Sequence, residues 1–190
     1  MAHFLPSDFE LHKYGLSCRL VNESDAEFIL SLRLDSNKST YISSTSNKIE
    51  DQIQWIREYK IREKKGLDFY FMYSYQGERA GVNRIYDIED KHFIHGSWLF
   101  SNNVPPYCPL AAAIMAREIA FYILHLDAEI DTAGIHVDNT GVLQFATFMG
   151  EVFNGYRDSE QGRFLTGYLT KELFEQNLDK VKRLFPKKVI

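Results

Sequence analysis

His95 and Ser97 stand two residues apart in the segment FIHGSWLF, and on a strand that spacing puts both side chains on one face. Imidazole titrates near neutral pH, so His95 is a candidate general base, with Ser97 as a polar neighbour in the same place. His136, in IDTAGIHVD, is a second candidate base on a later strand. Asp87 and Glu89 follow the strand before His95 and offer carboxylates that act through water. After FIHGSWLF a polar, proline-broken loop, SNNVPPYCPL, runs straight into an apolar helix. Unpaired N–H groups and a positive dipole end make a helix start a phosphate cradle. This loop has no glycine, so a cradle here has fewer donors and leans on side chains such as Ser101, Asn102 and Asn103.

Cations and aromatics that suit an anionic, ring-bearing ligand lie earlier in the chain. Arg33, Arg57, Lys60 and Arg84 match a diphosphate, and Tyr41, Trp55, Tyr86 and Trp98 offer faces for stacking. The 190 residues carry a net charge of -4, which argues against the broad cationic surface that nucleic acid requires. Cys18 and Cys108 sit in unrelated contexts, so neither a disulfide framework nor a metal-ligand spacing is read, and no metal is expected. No basic leader precedes an apolar run and no stretch is long enough to span a bilayer. A single cytoplasmic domain is the expectation, without membrane or nucleic-acid partners.

The elements that would position these residues follow from periodicity. LSCRLV alternates as a strand, and Asn22 caps a helix running to about Arg33. The Ser/Thr/Asn-rich stretch LDSNKSTYISSTSN reads as a surface loop. Asn47 and Glu50 have capping-box spacing ahead of a second helix, with Ile49, Ile53 and Ile56 on one stripe to about Lys64. Three strand-like segments follow, with turn signals at Gln76-Gly77 and Glu89-Asp90, and predict an antiparallel meander. A helix is expected from about Leu110 to Leu126, then the His136 strand, then a helix capped by Asn139 that carries Phe145 and ends at Gly150. A closing hairpin and a last helix from Lys171 to Leu184 complete the chain. The fold class is α+β: one mixed, mostly antiparallel sheet with helices on both faces, preceded by an N-terminal extension over 1–15.

In this order, and in the segment EDQIQWIREYKIREKKGLDFYFMYSYQGERAGVNRIYDIEDKHFIHGSWLF, the chain resembles the GNAT-type acyl-CoA N-acyltransferases over nearly its whole length. The resemblance is narrower to those of surface-polysaccharide biosynthesis, whose usual acceptor is an amino group on a nucleotide-linked deoxysugar. It implies acetyl-CoA as co-substrate, its pantetheine arm lying like an added strand where two central strands splay. It implies Leu99, Phe100, Ser101, Cys108, Leu110, Ala111, Ala112, Asn139 and Phe145 along that arm and its pyrophosphate. The acceptor would meet Arg33, Arg57, Arg84, Tyr86 and Trp98. Two departures stand out: Cys108 and Pro109 fall where the family usually has glycines, and the family's thiolate-protonating tyrosine, seven residues after Asn139, is Ala146 here. A protein N-terminus as acceptor, or a non-catalytic module of the same fold, are the alternatives. A homodimer through the closing hairpin or last helix is a further option.

Overall fold

The computed structural model describes residues 3–38 and 40–190. Eight strands form one sheet in the order β1-β2-β3-β4-β5-β6-β8-β7. They are β1 (Glu10–Lys13), β2 (Leu16–Leu20), β3 (Asp68–Tyr75), β4 (Glu78–Glu89), β5 (His92–Phe100), β6 (Ala128–His136), β7 (Val152–Ser159) and β8 (Gly162–Thr170). All neighbours are antiparallel except β5 and β6. The helices are α1 (Ala26–Leu34), α2 (Ile49–Lys64), α3 (Tyr107–Glu118), α4 (Thr140–Met149) and α5 (Lys171–Lys182). This is the α+β architecture expected. The stretch taken as an extension contains β1, whose register on β2 is set by a hairpin turn with positive φ at Tyr14 and Gly15. No described helix is long and apolar enough to cross a membrane.

Strand alternation divides the core in two. On β3, Tyr70 and Met72 pack with Ile29 and Leu32 of α1 and Ile56 and Tyr59 of α2, while Phe69, Phe71 and Tyr73 pack under α3. The period-2 pattern of a fully covered strand thus sorts one side chain to each helical layer. Local chemistry explains most helix boundaries. Asn22 and Asp25 form a reciprocal capping box at the short 3-10 turn leading into α1. The box expected at Asn47 does not form: α2 is capped at Lys48, without a side-chain cap bond. α3 starts three residues earlier than its apolar stripe suggested, behind Pro106, and runs on as a π-helical turn to Ile123.

The central irregularity is between β5 and β6. They pair only at His92 with Ala128 and Phe93 with Glu129, then diverge. β6 bends because its register on β8 shifts between Asp131 and Ile135. At that bulge Gly134 has φ +77, and a Cβ there would lie 2.8 Å from Phe164 and 2.9 Å from the Leu165 carbonyl oxygen. Its N–H donates to Asp131 Oδ1 at 2.8 Å, which locks the bend. A second bulge lies in β5: Arg84 pairs with Gly96 and Val82 with Leu99, so Asn83 alone faces Ser97 and Trp98. Bulged residues leave ladder groups unpaired and re-aim side chains, and Ser97 here has φ +49.

Candidate active site

The V between β5 and β6 holds a cavity of about 380 Å³. A second cavity of about 300 Å³ lies on the α1–α2 side of the sheet. Arg33, Ser43 and Ser97 line both, so the two meet at the β5 bulge.

The second cavity has a cationic, aromatic floor. Arg84 donates from Nε to Asp68 Oδ1 at 2.6 Å and from Nη2 to Asp68 Oδ2, and its guanidinium lies 5.1 Å from the Trp55 ring and 4.5 Å from that of Tyr86. Asp68 also accepts from Arg62 Nε at 2.9 Å. Arg33 is different. Its hydrogen bonds go to the Thr45 hydroxyl and to the carbonyl and hydroxyl of Ser43, and no carboxylate pairs with it among the described residues. Its charge is therefore uncompensated by a direct partner, beside the hydroxyl-rich 43–46 segment. Asp51 and Gln52 complete the rim.

The polar loop after α1 straps across the first cavity. Tyr41 stacks on His136, with ring centroids 4.8 Å apart, and its hydroxyl reaches the Asp138 carbonyl at 3.4 Å. His136 accepts from the Asp138 N–H at Nδ1 (3.1 Å), which leaves the proton on Nε2 to donate to the Gln161 carbonyl (3.0 Å). Both ring nitrogens are thus engaged, so His136 holds the strap and the β6 end together. His95 has no such tie: its Nε2 is buried without a hydrogen-bond partner among the described residues. Burial, reinforced by the Arg117 charge, pushes its pKa well below that of free imidazole. His95 is therefore neutral at physiological pH and a weaker proton acceptor than its residue type suggests. Replacing it by Gln should leave the shape of the activity profile between pH 6 and 9 unchanged; loss of an acidic limb in that variant would show that His95 titrates in this range.

Other sequence-derived candidates divide clearly. Ser97, Trp98, Tyr86, Asn139 and Phe145 line the V cavity. Trp98 donates its indole N–H to the Pro109 carbonyl at 3.1 Å and tilts against Phe145 at 5.3 Å, tying β5 to α3 and α4. Asn139 is the residue before α4 but makes no side-chain cap bond, so its amide is available to a ligand in the cavity. Burial removes others from a side-chain role: Cys108, Ala111 and Ala112 have no exposed surface, and Leu99 and Phe100 are core residues on opposite faces. Leu110 is half-buried against the same core. Arg57, expected at the acceptor, instead pairs with Glu23 at 2.8 Å on the outer surface and lines neither cavity.

The α3 start has few donors, for a reason the sequence only partly disclosed. Of the four N–H groups that open a helix, Pro106 and Pro109 remove two, and that of Cys108 donates to the Pro105 carbonyl at 2.9 Å. Tyr107 contributes the remaining one. Ser101 Oγ accepts from the Asn103 N–H at 3.2 Å, which shapes the loop.

Sequence reading missed the polar apex of the V. Glu129, Asp131 and Glu151, all at least nine-tenths buried, line the cavity with Arg117 as their near cation. Arg117 pairs with Glu129 through Nη2 to Oε1 (3.0 Å), and its Nε faces Oε2 at 2.9 Å without hydrogen-bond alignment. Desolvation raises the pKa of all three carboxyls, against the pull of Arg117. For Glu151, burial and then the Glu129 charge push it up to about 8. These residues are dispersed over α3, β6 and the turn after α4, so no local motif marks them. Among the described residues no cluster has the makings of a metal site.

No protein-family model matches the chain, and no curated protein matches it in sequence. Solved structures do. Mycobacterium smegmatis RimJ in complex with CoA-disulfide is 15% identical, with a TM-score of 0.76 over 92% of this chain and 91% of its own. Ribosomal-protein-S5-alanine acetyltransferase from Vibrio fischeri is 15% identical, with a TM-score of 0.72 over 87% and 98%. The mixed sheet with its splayed central pair is the GNAT fold, and the class is that of the acyl-CoA-dependent N-acetyltransferases. Within it, the chain is similar to FdhC, described as a nucleotide-linked sugar GNAT: 27% identity and a TM-score of 0.78 over 94% of this chain and 99% of that one.

Proposed function

We propose that the protein transfers an acetyl group from acetyl-CoA to the primary amine of a nucleotide-linked amino sugar, in surface-glycan biosynthesis. The observation that carries the reading is Arg33, a guanidinium without a carboxylate partner among the described residues, in a cavity that it shares with Trp55 and Arg84 and that opens onto the V at Ser97. A nucleotide diphosphate supplies the counter-charge that Arg33 lacks, and a bidentate guanidinium suits it. Trp55, on the same cavity wall, suits a base or sugar face. The likeness to FdhC supports the same acceptor class.

The V fits an acyl-CoA arm on physical grounds. Beyond Phe93 the β6 side of β5 has no strand partner, so an extended amide-bearing arm can complete the ladder there. Asn139 adds a free side-chain amide. In this arrangement the neutral amine attacks the thioester carbonyl near Ser97, where the β5 bulge frees backbone N–H groups from the ladder to stabilise the developing oxyanion. The donor-poor α3 start predicts weak holding of the pyrophosphate, so acetyl-CoA affinity should rest mainly on the arm.

Arg33→Ala tests the acceptor. Loss of charge-assisted contacts to a diphosphate is worth about 1.5–3 kcal/mol, so kcat/KM for a nucleotide-linked amino sugar should fall roughly 10- to 150-fold. Acetyl-CoA affinity and the rate with a free amino sugar should hold within threefold. Equal losses with both acceptors would sink the nucleotide reading.

A further inference from the structure

We infer that Glu151 is the proton carrier of the acyl-transfer site, giving its carboxyl proton to the departing thiolate and recovering one from the acceptor amine. The inference rests on acyl transfer in the V, as proposed above.

Three observations converge on this residue. Glu151 is 7% exposed and lines the V cavity, yet its Oε1 has no hydrogen-bond partner among the described residues. A buried carboxyl oxygen with no partner is costly unless something else binds there in the working state. Second, the charges around it do not balance. Glu129 and Asp131 of β6 and Glu151 itself share one near guanidinium, Arg117 of α3, which is already committed to Glu129. His95 of β5 is neutral, Tyr86 of β4 is pushed up to about 12, and Arg157 of β7 acts on Asp131 from further out while donating to the Ala133 carbonyl. Three ionised carboxylates cannot be held there together, so one keeps its proton. Among the described residues Glu151 has neither a guanidinium nor an N–H of its own, whereas Glu129 has Arg117 and Asp131 has the Gly134 N–H. Third, Glu151 is fixed by backbone. The turn at Gly150, φ +97, is closed by the Glu151 N–H donating to the Ala146 carbonyl at 3.0 Å. Ala146 lines the same cavity and has no donor of its own.

The step balances. The amine nitrogen forms a bond to the acyl carbon, the carbon–sulfur bond breaks, and the electron pair leaves on sulfur. The Glu151 carboxyl proton neutralises that thiolate, and the carboxylate takes the proton the amine must lose. No metal or redox partner enters. A carboxyl kept protonated to about pH 8 is matched to donating at neutral pH. As pH rises through that value the donor form is lost, so activity should fall on the alkaline side.

The test compares the wild type with Glu151→Gln and Glu151→Ala. CoA thiol release is followed from pH 6 to 9.5 with a nucleotide-linked amino sugar, and as slow hydrolysis of acetyl-CoA where no amine is accepted, since the thiolate must leave in either case. The expected result is a kcat about 100-fold lower in Glu151→Gln, acetyl-CoA affinity within threefold by calorimetry, and loss of the alkaline limb near pH 8. A readout independent of turnover accompanies it. The native carboxyl binds a proton that the unfolded one releases above about 4.5, so wild-type stability falls between pH 5 and 8, and Glu151→Gln should flatten that fall. Turnover within threefold of wild type with an unchanged pH profile would overturn the role of Glu151 and leave the acyl-transfer reading standing. Failure of the wild type to bind acetyl-CoA would overturn the acyl-transfer reading and this role with it. An equal loss of acetyl-CoA affinity and kcat in both variants would make Glu151 a structural residue only.

Discussion

Arg117→Met unfolds at a much lower urea concentration than the wild type at pH 8 and at a similar one at pH 5. The Arg117 side chain is 5% exposed and is the near cation for Glu129, Asp131 and Glu151. Breaking one side of a buried pair leaves an uncompensated charge and costs about 3–5 kcal/mol. The pH dependence follows from linkage. Burial already raises the pKa of all three carboxyls, and removing the guanidinium raises them further. A group whose folded pKa is raised contributes stability that is fully present below its unfolded pKa, near 4 for these carboxyls, and lost as pH climbs through the folded value. Below about pH 5 the carboxyls of the variant are protonated and the missing cation matters little; by pH 8 the native state must either hold the protons or bear the charges. Denaturation at the two pH values checks this. An equal loss at both would mean that Arg117 contributes by packing and by its bond to the Ala113 carbonyl at 3.1 Å.

Asp68→Ala lowers stability by a similar amount, about 3–5 kcal/mol, and removes acceptor turnover with it. Asp68 is 1% exposed and accepts from Arg84 and Arg62. The Arg84 side chain is 15% exposed and stays charged, since Asp68 raises its pKa against the opposing effect of burial. Without Asp68 it is a buried cation beside Arg62, under Trp55 and Tyr86. Arg62 is 36% exposed and can turn to water, so Arg84 accounts for most of the loss. Adding Arg84→Met to Asp68→Ala removes both charges and should restore at least half of the stability. It should not restore turnover with a nucleotide-linked acceptor, because the floor of the cavity has lost its guanidinium. Chemical denaturation and kcat/KM on the single and double variants measure both effects. A double variant no more stable than Asp68→Ala would show that backbone packing of β3, not the ion pair, carries the cost.

What the sequence determined by itself is the order of elements and the class of fold. Periodicity of 2 in LSCRLV and of 3.6 in the second helix is local information, because burial of one face imposes it residue by residue. Caps are legible in part: Asn22 with Asp25 and Gly150 with its positive φ hold, whereas the box at Asn47 does not form and Asn139 makes no side-chain cap bond. The strand carrying His95 and Ser97, and the Ser/Thr-rich loop that straps the cleft, were legible too. The chemistry of the site was not. His95 reads as a base from its type, but burial, with the Arg117 charge acting on it, makes it a neutral, weak one. His136 reads as free, but the tertiary structure engages both its nitrogens with backbone groups. Arg33, Arg57 and Arg84 look alike in sequence, and long-range partners alone separate them: Glu23 for Arg57, Asp68 for Arg84, and for Arg33 no carboxylate among the described residues. The acidic apex was invisible for the same reason. Glu129, Asp131 and Glu151 acquire their character from a shared cation 12 or more positions away on α3 and from a cavity opened by a bulge in β6. Desolvation and charge pairing depend on distance in space, and the sheet order that brings β6 beside β5 sets those distances.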